Sequence, residues 1–183
     1  MTFMADKPIA LKEMPSPIAD FHLPAYDRLP DMGLYLEQIT RYINETLEPL
    51  GCIEITSSMI SNYVKKGLIK RPLKKQYDAE QIAYLFFIAI TKQVLSMEQI
   101  SKLLHMQQQT YAIDTAYNYF CQELENVLQN IFHGTTEFKN YSNRNSLQKE
   151  MLRSTTIAVG HIIYLNYRFS DIPSPDEDKK ETN

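Results

Sequence analysis

Six cations occupy eleven positions of the stretch "SMISNYVKKGLIKRPLKKQYDAEQI", residues 58–82: Lys65, Lys66, Lys70, Arg71, Lys74 and Lys75. No acid lies between Glu54 and Asp78, and the rest of the 183-residue chain sums to −9 against an overall −3. Lysines and arginines clustered without acids can neutralise successive phosphates of a nucleic acid, an attraction that is independent of sequence and sensitive to salt. Just ahead of them stand Ser57, Ser58, Ser61 and Asn62. At about 100° per residue these share one helical arc with Lys65, while Met59, Ile60, Tyr63 and Val64 take the opposite side. Short polar side chains let a helix approach base edges in a major groove, and the apolar back ties it to the protein.

The surrounding pattern predicts the elements that must position this surface. Leu36, Ile39, Ile43 and Leu47 form a stripe for a helix over 33–48, capped by Asp31 and ended by Pro49 and Gly51. The polar helix starts after Thr56 or Ser57 as N-cap and stops at Gly67. "LIKRPLKKQY", residues 68–77, is too short and broken for a helix and is expected as a small β-hairpin. Asp78 with Gln81 and Ser96 with Gln99 are capping boxes, opening a central buried helix through Val94 and a short one over 97–105.

A long helix over about 110–132 carries Ile113, Tyr117, Phe120, Leu124, Val127 and Ile131 at heptad spacing, a candidate dimerisation seam, the alternative being core packed on the final helix. The last helix, about 147–169, has the stripe Leu147, Met151, Ala158, Ile162, Leu165 and Phe169, widened by Val159 and Ile163. Five of nine prolines fall in residues 1–30, expected as an extended arm rather than a packed element. Residues 171–183 are a polar, acidic tail expected to be disordered.

Composition narrows the classes. Five glycines and no phosphate loop, GxGxxG, HExxH or G-x-S-x-G motif argue against an enzyme. Cys52 and Cys121 are isolated, which argues against a disulfide framework or structural zinc and suits a reducing cytoplasm. The longest uncharged run, Ser154 to Tyr167, is shorter than the roughly 20 apolar residues of a membrane span, and the first residues do not form a signal peptide. His161, in the apolar last helix, is expected as a hydrogen-bonded core histidine, and no histidine spacing suggests a metal site. Tyr111, Tyr117, Tyr119, Phe120, Tyr164 and Tyr167 are expected to pack as core with rim hydroxyls, a ligand pocket being the alternative.

Residues 57–104 resemble the winged helix-turn-helix of MerR-type transcription regulators. The likeness rests on Tyr63-Val64-Lys65-Lys66-Gly67-Leu68-Ile69, on Tyr77 followed by the capped Asp78-Ala79-Glu80-Gln81-Ile82, and on the run from Leu95 to Leu104, "LSMEQISKLL". The pattern Met59-Ile60-x-Asn62-Tyr63-x-Lys65-x-Gly67-Leu68-Ile69 is similar to that of uncharacterised bacterial proteins described as MerR-like, for which no function is established. The chain departs from the regulators where Ser61 replaces their arginine, where Asn62 replaces a tyrosine, and in a shorter hairpin without glycine.

The expected fold is therefore mainly α: residues 1–30 an arm, 31–106 a MerR-like winged helix-turn-helix with a small β wing, 107–170 a two-helix C-terminal module for dimerisation or sensing, 171–183 a tail. The expected function is a cytoplasmic, DNA-binding transcriptional regulator without a cofactor, acting as a homodimer on double-stranded DNA. Its recognition helix, 57–66, would enter the major groove and the basic wing, 68–77, would meet phosphates. The alternatives are a protein-interaction module that keeps the fold without binding DNA, and a small-molecule sensor using the C-terminal helices.

Overall fold

The computed structural model of the chain describes residues 16–51, 53–135, 146–170 and 172. The acidic tail, apart from Ile172, and Cys52 lie outside the described residues. The fold is mainly helical, with one small two-stranded antiparallel sheet. In chain order the helices are α1 (Ser16–Ala19), α2 (Leu36–Leu47), α3 (Ser57–Lys65), α4 (Ala79–Thr91), α5 (Met97–Thr110), α6 (Ile113–Phe132) and α7 (Leu147–Ser170). Strand β1 (Leu34–Tyr35) pairs with β2 (Gln76–Tyr77), Leu34 opposite Tyr77 and Tyr35 opposite Gln76.

Helix α4 is the hub because its sequence is apolar on every side: from Gln81 to Thr91 only Phe87 is partly exposed. Its start is fixed reciprocally, Asp78 Oδ1 accepting from the Gln81 N–H at 2.9 Å and Gln81 Oε1 from the Asp78 N–H at 2.8 Å. Ser96 and Gln99 open α5 in the same way. Helix α2 begins at Leu36, later than the apolar stripe alone suggested, because Leu34 and Tyr35 are drawn into the strand pair. The Tyr35 N–H is then taken by Gln38 Oε1 at 2.9 Å. Gly33, at φ +71°, lies against β2 so closely that a Cβ would come within 3.0 Å of the Gln76 Cβ. Helix α5 runs to Thr110, past the expected end at 105 and across the expected domain boundary, and one hydrophobic core continues from Ile18 to Ile163.

Three expectations are corrected. The segment from Ser16 is packed, not a free arm: Ile18, Ala19, Phe21, Leu23 and Leu29 are buried, and the Tyr26 N–H donates to Asn118 Oδ1 at 2.9 Å. The prolines limit regular structure there to short pieces such as the four-residue α1, with Pro17 in its first turn, and leave the intervening apolar side chains free to bury. The heptad stripe of α6 is not a free seam. Tyr117, Phe120, Leu124 and Val127 are buried and Ile113 and Ile131 half-buried, because α1, α4 and α7 cover them within the same chain.

Helix α7 is rotated toward the widened edge of its sequence stripe, burying Val159 and Ile163 rather than the middle of the stripe. It meets the core with Thr155, Thr156, Val159, Gly160 and Ile163, leaving Leu147, Met151, Ala158, Leu165 and Phe169 outside. The close contact with α6 decides this orientation: a Cβ on Gly160 would lie 2.5 Å from Val127 Cγ1. It also carries His161 to the exposed side rather than into the core. Helices α6 and α7 run parallel, with Lys149 over the Tyr119 ring at one end and Tyr164 and Tyr167 against Phe132 at the other.

Candidate nucleic-acid interface

Thr56 caps α3, its Oγ1 accepting from the Met59 N–H at 3.2 Å. Ile60 and Tyr63 are buried against the body of the protein. The connection from α2 is held by Asn44, whose side-chain amide bonds both backbone groups of Ile55. Lys92 adds a second clasp, its Nζ donating to the Glu54 carbonyl at 2.7 Å, and burial pushes its pKa down. Sequence reasoning missed Lys92 because it lies far along the chain, at the end of α4.

Gly67, at φ +73°, ends α3. The Gly67 N–H donates to the Val64 carbonyl and the Leu68 N–H to the Tyr63 carbonyl, both at 3.0 Å, which is a Schellman closure. Leu68 and Ile69 then dive into the core, so the cations on either side are held at the surface. Gln81, buried in the α4 capping box, also donates its Nε2 to the Lys70 carbonyl at 2.8 Å. The chain reverses at Lys74 and Lys75, with φ +49° and +65°, and the Gln76 N–H closes the turn on the Leu73 carbonyl at 2.8 Å. Two positive φ values in a two-residue reversal are the mark of a type I′ turn, which favours Asn and Gly. Lysine at both positions is strained backbone. The hairpin is thus present, but its second arm pairs onward with β1, a partner not anticipated for it.

The expected contact residues divide into two groups. Ser58, Ser61, Asn62, Lys65, Lys66, Arg71, Lys74 and Lys75 are all exposed. Among the described residues, no ion pair engages these cations. Ser57 and Lys70 are instead engaged inside the protein. Ser57 Oγ donates to Glu37 Oε1 at 2.9 Å and lies 3.1 Å from Thr40 Oγ1, which ties it to α2. Lys70 Nζ reaches both Glu80 oxygens, at 2.9 and 3.1 Å, and that pairing raises its pKa. Although no acid interrupts the basic run in sequence, the hairpin folds it back onto the first turn of α4. Leu73, at the start of the hairpin turn, is 79 % exposed, and Met32 and Tyr35 are exposed in the neighbouring strand region.

Of the aromatic set singled out by sequence, Tyr111, Tyr117, Tyr119 and Phe120 line a cavity of about 160 Å³, whereas Tyr164 and Tyr167 pack against Phe132. Among the described residues no cluster of His, Cys, Asp and Glu could hold a metal ion, and no helix is long and apolar enough to cross a membrane.

No curated protein and no solved structure matches the chain. A family model described as a domain of unknown function matches residues 24–120, from the packed N-terminal segment through the basic hairpin to the first half of α6. That match takes in every exposed residue of the candidate surface and covers just over half of the sequence, so the chain belongs to this family, DUF1836.

Proposed function

We propose that the face formed by α3 and the following hairpin binds duplex DNA and that the chain is a transcriptional regulator. In this view α2 and α3 are the two helices of a MerR-like winged helix-turn-helix, and the Leu73–Gln76 hairpin is its wing. One observation carries the proposal: five cations without an intramolecular ion pair among the described residues, Lys65, Lys66, Arg71, Lys74 and Lys75, adjoin the exposed Ser58, Ser61 and Asn62, on a protein whose net charge is negative. Such a surface supplies phosphate contacts beside groups short enough to reach base edges. Ser57 and Lys70 act as positioning residues, tying α3 to α2 and the hairpin to α4.

A homodimer belongs to the same proposal, formed through α7 instead of α6. The outward apolar residues of α7 are spaced symmetrically about Ala158: Met151 and Leu165 lie seven residues to either side, Leu147 and Phe169 eleven. An antiparallel two-fold contact at Ala158 would set Met151 against Leu165 of the partner subunit and Leu147 against Phe169 of the partner subunit, with a small residue at the crossing point.

The exposed Leu73 at the hairpin favours one other reading, a protein-interaction module using the same surface. Fluorescence anisotropy on genomic-fragment duplexes at several salt concentrations separates the two. DNA binding gives log K falling with log salt at about −0.9 per phosphate neutralised, with affinity collapsing in an Arg71, Lys74, Lys75→Ala variant. Absence of binding at low salt would overturn the regulator and leave the interaction module.

A further inference from the structure

We propose that the cleft between α4, α5, α6 and the first turns of α7 binds the apolar tail of a small amphiphile, tail inward and head in solvent. Its lining grades from buried to half-exposed. Ala83, Leu103, Leu104 and Phe120 form a buried floor, and Tyr111, Tyr119, Gln148 and Lys149 form a half-buried rim where the cleft opens to water. Phe87 and Phe120 meet edge to face, with ring centroids 5.1 Å apart, and hold one wall. The volume is about 160 Å³, and about 150 Å³ is room for a benzene-sized body. The cleft therefore covers a short tail and not a whole lipid.

The polar groups of the lining are already engaged. Gln107 Oε1 accepts from Tyr84 Oη at 3.0 Å and its Nε2 donates to the Tyr111 carbonyl at 2.8 Å. Gln148 Nε2 donates to Thr110 Oγ1 and Thr115 Oγ1 to Asp114 Oδ1, each at 3.4 Å. The Lys149 ammonium lies over the Tyr111 and Tyr119 rings and has a further partner. Among the described residues the lining holds no Asp or Glu. A polar head drawn into the cleft would lose its water and gain little in return, whereas an alkyl or ring tail gains by leaving water. The open side reconciles the two demands, since the head stays hydrated while the tail is covered.

The α5 wall has a second side. Tyr84, Gln107, Tyr111 and Ile113 also line a groove bounded by Val64, Lys65 and Gly67–Arg71. That shared wall is the route by which an occupied cleft would act on the basic hairpin. Such an effect on duplex affinity rests on the proposed function, but tail binding does not.

The test is calorimetry on the full chain with straight-chain primary alcohols from butanol to nonanol as probes. One-to-one binding is expected, tightening about three- to fourfold with each methylene and levelling off at about six to eight carbons, when the tail outgrows the cleft. Hexyl methyl ether, an isomer of heptanol without the hydroxyl proton, should bind at least as tightly as heptanol, because the head makes no hydrogen bond. Ala116→Phe, which fills the cleft from α6, should abolish binding, and Leu152→Trp, filling it from α7, serves should that variant not fold. Leu165→Ser, on the outward face of α7, should leave binding unchanged. No saturable binding, or an affinity indifferent to chain length, overturns the site. Binding that survives a folded filling variant, or is lost in Leu165→Ser, places the tail elsewhere and overturns it equally. Heptanol binding tenfold more tightly than the ether overturns the orientation with the head in solvent. None of these readouts involves DNA, so failure here leaves the proposed surface standing.

Discussion

Asn44 completes the backbone of Ile55: its Nδ2 donates to the Ile55 carbonyl at 2.8 Å and its Oδ1 accepts the Ile55 N–H at 2.9 Å. One side chain in α2 thereby stands in for a strand partner to the segment that feeds α3. Removing it leaves two backbone groups next to the core without partners, each costing about 1–3 kcal/mol when buried and less where water can reach it. Asn44→Ala is expected to lower the stability by about 2 kcal/mol, read as a drop in the urea midpoint at unchanged m-value. Asn44→Asp should also destabilise, since a carboxylate can accept from the Ile55 N–H but cannot donate to its carbonyl.

The Lys74–Lys75 reversal sets stability against function. Each lysine occupies left-handed backbone, at about 1 kcal/mol or more per residue relative to residues suited to it. Replacing the pair by Asn and Gly should stabilise the fold by about 1 kcal/mol. On the proposed function the same change removes two phosphate contacts, reducing the salt slope by about 1.8. Lys70→Met should move that slope less than Arg71→Ala, because Lys70 is already paired with Glu80. A stabilised variant with an unchanged salt slope would show that the turn does not touch DNA.

Local signals were legible in the sequence and long-range ones were not. Asp78 with Gln81, Ser96 with Gln99, and Gly67 each act within one turn, and each forms as its spacing predicts. The heptad stripe of α6 correctly marks a buried face, yet periodicity does not say what buries it, and α1, α4 and α7 do. Helix α7 has two apolar arcs on adjoining sides. The choice between them depends on Gly160 closing onto Val127, more than thirty residues away. Likewise, nothing near Ser57 or Lys70 in sequence reveals Glu37 and Glu80 as their partners.

Glu123 makes stability fall as pH rises. Its side chain is fully buried in α6, and burial raises its pKa despite the opposing Arg153 charge and Tyr119 hydroxyl. The folded protein therefore holds a proton that the unfolded chain releases near pH 4.3. The contribution is fully present below that pH and is lost as pH rises through the folded-state value. Glu123→Gln keeps the shape without the charge, so its stability profile should be flatter over this range, with a higher Tm at pH 8. Chemical denaturation of both proteins across pH 4–8 checks this, and parallel profiles would place the carboxylate in a solvated or paired setting.

On the proposed homodimer, the outward face of α7 is the seam. Leu147 is 62 %, Leu165 45 % and Phe169 65 % exposed. Contiguous apolar surface beyond a few hundred Å² is uncommon on monomers. Between Ser154 and Tyr167 the helix carries no acid and no lysine or arginine, so a highly charged partner finds little to pair with, whereas a second copy matches the face by symmetry. On the proposed homodimer, Met151→Glu with Leu165→Glu puts four acids into the antiparallel contact, two from each copy, and sedimentation should then show a monomer for the variant against a dimer for the native chain. Because both side chains already meet solvent, the variant's fold should persist, with an unchanged far-UV spectrum. The α6 stripe offers the contrasting control: Leu124→Glu, fully buried, should unfold the chain rather than merely separate two copies. A Met151, Leu165→Glu variant that sediments like the native protein would remove α7 as the seam.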